Sequence, residues 1–151
     1  MSSCDRDQVF ISYSHKDKAW LEEFQTMLKP MMRKKTISVW DDTIIKPGAK
    51  WKEEINQALA AAKVAVLMVS SNFLASDFIA EQELPPLLMA AAEEGLTIMW
   101  VYVSACMYEE SEIEAYQAAH DLSQPLDTLS SGELNLVLRE IGQKIRQQVG
   151  H

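Results

Sequence analysis

Val9-Phe10-Ile11-Ser12-Tyr13-Ser14-His15-Lys16-Asp17 is the stretch that decides how this chain is read. Three apolar residues run into small hydroxyls and then a polar turn. Residues 8–13 read as a buried strand. Over residues 17–29, Trp20, Leu21, Phe24, Met27 and Leu28 recur at helical spacing, and Pro30 is expected to stop that helix. A strand that ends in Ser-Tyr-Ser and feeds a helix presents backbone N–H groups and hydroxyls at its carboxyl end. Open α/β sheets bind ligands at that end.

The same alternation continues outward. Residues 36–40 are β-branched and aromatic, a second strand. Residues 41–48 form a loop punctuated by Pro47-Gly48, and Trp51, Ile55, Ala58, Leu59 and Ala62 mark a second helix. Residues 64–69 are continuously apolar, as in a central parallel strand covered on both faces. A short helix is expected over 73–82. Pro85 and Pro86 fit best in the first turn of a new helix, which runs to about residue 94 with Gly95 as its stop. Residues 96–103 give a fourth strand. Beyond it the pattern weakens: a helical piece around 112–119, a short edge strand at 124–126, and a final amphipathic helix over 131–148. Strand–helix alternation through the first hundred residues implies βαβ units, a parallel sheet and helices on both faces.

Composition bounds the function. The 151 residues suffice for one domain with a full core, and 48% hydrophobic with 24% charged residues is ordinary for a globular protein. A net charge of −8 argues against non-specific nucleic-acid binding, which needs clustered Lys and Arg, and no nucleic-acid partner is expected. With only two cysteines, Cys4 and Cys106, the sequence argues against a disulfide framework and suits a reducing compartment. The residues after Met1 have no apolar core of a leader, and the longest apolar run is too short to span a bilayer. The expectation is one cytoplasmic domain over 1–151 without a membrane partner, its residues 1–7 a disordered tail.

Three strand ends then carry the chemistry: residues 13–15, 41–48 and 70–76. Together they resemble a Toll/interleukin-1 receptor (TIR) domain of bacterial type. Phe10-Ile-Ser-Tyr13 is similar to the family's first box. Asp42 through Lys46-Pro47-Gly48, with Trp51 beyond, is similar to its BB loop. Ser71-Asn-Phe-Leu74, Ser76 and Glu83-Leu84 are similar to its serine-rich strand end and Glu-Leu pair. The resemblance covers about residues 8–104 well and 105–151 loosely. It implies a flavodoxin-like three-layer α/β sandwich with a central parallel sheet of four to five strands.

In enzymatically active relatives one glutamate of the last motif is needed to cleave the nicotinamide–ribose bond of NAD+. Carried over by motif it is Glu83, with Glu81 as the alternative register. Relatives usually have an aromatic four residues before that glutamate. Here Phe78 stands five before, and Ile79 takes the four-back place. The resemblance implies NAD+ as substrate with no cofactor required. The pocket is expected from Ser12, Tyr13, Ser14, His15, Asp42, Lys46, Gly48, Trp51 and Phe78. Ser12, Ser14, His15, Lys46 and Lys50 are the expected donors to the pyrophosphate, although some relatives carry arginines at the places of Ser14 and His15. Of the aromatics, Phe78 is the one expected in the core. Glu83 is expected near a helix N-terminus, at a break before Pro85, where the dipole favours a carboxylate.

Other chemistries have less to stand on. Asp41-Asp42 lacks further ligands for a metal, and the first and third strand ends lack the acids of a phosphoacceptor site. There is no Gly-rich phosphate loop. Cys106 is expected to be a buried thiol, and Met27, Met31 and Met32 helix packing or an adaptable surface. The resemblance leaves two functions open: an NAD+ glycohydrolase giving ADP-ribose or a cyclic isomer, and a non-enzymatic adaptor acting through homotypic TIR–TIR contacts. Either implies a sensor or oligomerisation partner, in bacterial defence signalling.

Overall fold

A computed structural model describes residues 8–41 and 50–150. The expected disordered tail at 1–7, and Asp42, Lys46, Pro47 and Gly48 of the loop, lie outside the described residues.

The elements run β1 (Gln8–Ser12), α1 (Lys18–Arg33), β2 (Ser38–Trp40), α2 (Trp51–Ala61), β3 (Ala62–Val69), α3 (Ser71–Ala75), α4 (Leu84–Glu93), β4 (Thr97–Tyr102) and α5 (Ser131–Val149). The four strands form one parallel sheet in the order β2-β1-β3-β4. This is the flavodoxin-like α/β arrangement. The order reverses between β1 and β3, so their carboxyl ends diverge and open a crevice there.

Period-two alternation sorts the sheet's side chains into two cores. Val9, Ile11, Val64, Val66, Met68, Met99 and Val101 face α1 and α5, meeting Leu21, Phe24, Leu28, Leu138, Ile141 and Ile145. Phe10, Ala65, Leu67, Val69, Ile98 and Trp100 face the other layer, meeting Ile55, Leu59, Phe73, Ile79 and Leu87. Ser12 is in the second set by parity, so its hydroxyl points toward the layer that carries α4. This places a polar group inside an apolar face, and such a group needs a partner.

Three expectations are corrected. Pro30 does not stop α1, which continues to Arg33. Met31 and Met32 of the extra turn pack on the core, and proline near a helix end removes only one bond. The stop is Lys35, left-handed at φ 60°, with Lys35 N–H donating to Met32 O and Thr36 N–H to Met31 O, both 3.1 Å. This is a Schellman ending built on lysine instead of glycine. Residues 124–126 form no strand. Residues 126–128 form a single 3-10 turn, and the β4 edge is met by Ala118 through one parallel bridge to Trp100. The helical piece expected over 112–119 shrinks to a 3-10 turn, Glu112–Ala115.

The fourth difference matters for function. No break precedes Pro85. A π-helical turn, Ile79–Glu83, runs directly into α4, and Leu84 N–H donates to Ile79 O, five residues back. Pro85 and Pro86 lack N–H groups and crowd the carbonyls of the preceding turn. A widened turn accommodates both without ending the helix.

Candidate active site

A cleft of about 300 Å³ opens at the carboxyl ends of β1 and β3. One wall is the turn after β1, Tyr13 to Lys16. The opposite wall comes from Asn72 and Ser76 around α3 and from Phe78, Ile79 and Glu83 of the following helical turn. Local capping sets both walls. Ser14 accepts from Lys16 N–H. Ser70 caps α3 by accepting from Phe73 N–H at 3.1 Å, and Ser76 accepts from Ile79 N–H at 3.2 Å.

Glu83 is the acid of this cleft. It is only 3% exposed yet lines the cavity. Ser12 Oγ donates to its Oε1 at 2.6 Å. That serine, 1% exposed, is the polar residue that β1 directs into the second core. The two meet because the π turn carries Glu83 back over the strand end. A π turn holds about one residue more than an α-helical turn, so residues five apart across it, as Phe78 and Glu83 are, come to one side. Phe78 and Glu83 line the same cleft. Helical backbone continues through Glu83, so the expected dipole argument, which required a helix start there, loses its basis. The hydrogen bond from Ser12 takes its place as the observed polar support. Glu81 is exposed and lines a separate groove between α2 and α4.

The other expected residues fall as follows. Tyr13, Ser14 and His15 line the cleft, with the Tyr13 and His15 rings 5.4 Å apart. Ser12 contributes through Glu83 and is not itself part of the cleft lining. Phe78 is not in the core: it is 41% exposed, whereas Tyr13 is buried. Trp51, 39% exposed, lines the α2–α4 groove, and its ring lies 5.1 Å between centroids from the cleft-lining Phe78. Lys50 points to solvent, 4.0 Å from Glu53. Asp42, Lys46 and Gly48 are outside the described residues. Asp41 is buried and accepts from Gln25 Nε2 at 2.5 Å, a tie between α1 and the end of β2.

Sequence reading assigned no role to Lys16 or Asn72, both of which line the cleft, or to Asp17, buried beneath it. Lys16 brings positive charge to an acidic chain, and its place directly after His15 was a usable signal. Cys106 is half-buried, not buried. Burial raises its thiol pKa and the Glu109 charge adds to that, against a backbone hydrogen bond at Tyr108. It is a poor source of thiolate. Among the described residues no group of three or more His, Cys, Asp or Glu side chains is placed to hold a metal, and no helix is long and apolar enough to cross a membrane.

An open parallel α/β sheet with an acid-bearing cleft at its switch point defines the class. The chain belongs to the TIR domain family, which it matches over residues 9–131. It is 20% identical over 142 residues to an uncharacterized protein, y4lF, of Sinorhizobium fredii, covering 94% of this chain and 43% of that protein. The chain thus spans under half the length of the curated relative it matches, and the bacterial source agrees with the bacterial type. Among solved structures it is similar to the TIR domain of the Toll-related receptor TRR-2 of Hydra magnipapillata. The TM-score is 0.56 at 16% identity, covering 91% of this chain and 97% of that one. It is also similar to the TIR domains of the activated Roq1 resistosome recognizing the effector XopQ. There the TM-score is 0.52 at 18% identity, covering 93% of this chain and 83% of that one. These structural likenesses bear on fold.

Proposed function

We propose that this TIR domain is an NAD+ glycohydrolase with Glu83 as its catalytic carboxylate. The observation that carries the reading is the buried Ser12–Glu83 pair at 2.6 Å, set in a cleft at the sheet's switch point. A carboxylate that is buried yet lines a cavity acts strongly on charge that develops inside it.

The chemistry needs one such group. The C1′–N bond of NAD+ breaks with both electrons going to the pyridinium nitrogen, so nicotinamide leaves neutral and no general acid is required. Positive charge appears at C1′ and the ring oxygen. Glu83 stabilises it and holds a ribose hydroxyl. Water adds at C1′ and loses its proton to solvent, giving ADP-ribose; attack by an adenine nitrogen instead gives the cyclic isomer. Most glycoside hydrolases need a second carboxyl group because their leaving group is an alkoxide. Tyr13 and Phe78 offer ring faces to a base, and Lys16 with Ser14 and His15 offers charge and donors to the pyrophosphate. NAD+ serves as substrate, and the reaction needs no further cofactor.

A second reading has its own observation. Trp51, Phe78 and Met89 expose large apolar side chains on the α2–α4 side of the cleft, which suits homotypic TIR–TIR assembly. Assembly and catalysis are compatible, with assembly activating the enzyme. A sensor or oligomerisation partner in cytoplasmic bacterial defence signalling completes the proposal, in keeping with a curated relative of more than twice the matched length. The test is nicotinamide release from NAD+ by the parent chain at high concentration, beside Glu83→Ala and Glu81→Ala. Release abolished in Glu83→Ala but retained in Glu81→Ala supports the enzyme. Equal association of parent and Glu83→Ala with no release from either supports the adaptor.

A further inference from the structure

Asp17 stands immediately before α1, where an aspartate ordinarily caps a helix by accepting from its first free N–H groups. Its side chain makes no such bond. Instead the carboxylate, buried at 7% exposure, reaches across to the end of β3. Ser70 Oγ donates to Oδ2 in a short contact. Asn72 Nδ2 donates to Oδ1 at 3.0 Å. Asp17 therefore joins the two strand ends between which the cleft opens.

A tie between strands needs only Ser70, whose hydroxyl is buried and already caps α3. Asn72 is different. It is half-buried and lines the same cleft as Glu83. An amide has one donor end and one acceptor end, whereas a carboxylate only accepts. With Nδ2 given to Asp17, the acceptor Oδ1 is the end left for other partners.

We propose that Asn72 is a substrate-contact residue for a ribose hydroxyl and that Asp17 is the positioning residue that fixes its amide orientation. This rests on the nucleotide-cleaving reading of the same cleft. Glu83 and Asn72 then present two acceptors to a vicinal diol, a pattern that selects ribose over a sugar with one hydroxyl. Asp17→Asn offers an amide donor to Asn72, whose own amide turns over and sends its donor end to the cleft.

The experiment measures NAD+ affinity calorimetrically in the Glu83→Gln background, where turnover is blocked, with thermal stability recorded alongside. Asn72→Ala is expected to weaken binding about tenfold and, because it also takes a donor from the buried Asp17 carboxylate, to lower the melting temperature by a few degrees with the protein still folded at the assay temperature. Asp17→Asn is expected to weaken it similarly. The exchange Asp17→Asn with Asn72→Asp restores donor to acceptor and leaves an acceptor toward the cleft, so it is expected to recover most of the affinity. Asn72→Ala still decides the matter if Asp17→Asn does not fold. Affinity unchanged in Asn72→Ala, or no NAD+ binding at millimolar concentration, overturns the proposal. A tenfold loss in Asn72→Ala with no nicotinamide release from the parent leaves this contact standing and removes the glycohydrolase reading instead.

Discussion

Ser12→Ala removes a buried donor bond from β1 to the cleft acid, and its cost can be worked from the geometry. The bond is 2.6 Å long, buried, and accepted by a carboxylate. Hydrogen bonds to charged groups contribute about 1.5–3 kcal/mol, against about 0.5–1.5 kcal/mol between neutral groups. Ser12→Ala is thus expected to lower stability by about 1.5–3 kcal/mol. At roughly 2–4 °C per kcal/mol for a domain of this size, melting falls by about 3–12 °C. In Glu83→Gln the carbonyl oxygen of the new amide still accepts from Ser12, but as a neutral acceptor. Adding Ser12→Ala to that variant should then cost only about 1 kcal/mol. Denaturant unfolding of the four proteins closes the cycle, with an expected coupling of about 1 kcal/mol. In the parent background Ser12→Ala should also slow turnover about tenfold with KM little changed, because the carboxylate loses one of the contacts that orient it toward the cleft. A Ser12→Ala protein within 0.5 kcal/mol of the parent, with no coupling to position 83, would refute the claim that this bond sets the acid.

Two further outcomes test the frame around the site. Tyr102 N–H donates to His120 Nε2 at 2.9 Å, which requires a neutral ring. Burial lowers the His120 pKa below 6.5 and the Lys144 charge adds to that, while Asp121 opposes it. The stability it contributes is therefore complete above about pH 6.5 and lost as pH falls through the lowered folded value. Thermal unfolding between pH 7.5 and 5 should show a slope that His120→Gln, whose amide oxygen also accepts, reduces; identical slopes would contradict the assignment. Gly142 lies inside α5, where an added Cβ would sit 3.4 Å from Leu28 Cδ2 and 3.5 Å from Met31 Cε, both flexible side-chain ends. Gly142→Ala is expected to stabilise by about 0.5–1 kcal/mol through helix propensity, and a loss of stability would mean that α1 and α5 cannot yield at this contact.

Periodicity made most of the architecture legible. Residues 64–69 read as a strand buried on both faces, and the Val9 to Asp17 stretch located the crevice. What stayed hidden depended on contacts between distant residues. Pro30 reads locally as a stop, yet Met31 and Met32 are drawn onto the core and the helix follows them. Pro85-Pro86 reads as a break, yet a π turn satisfies the same constraint without one. Of the site, Glu83 was reachable by motif and Ser12 by its place at the strand end. Their hydrogen bond spans 71 positions in sequence, and no local pattern announces it. Asp17 carries no role in the sequence pattern, and only the fold shows that its carboxylate serves the end of β3.

The most direct measurement is single-turnover release of nicotinamide from NAD+ at high protein concentration, for the parent and for Glu83→Gln shown to melt as a folded protein. The account predicts release by the parent and a loss of at least a hundredfold in Glu83→Gln. Release at equal rates from both, or from neither, would contradict the central claim that the carboxylate held by Ser12 cleaves the nicotinamide–ribose bond.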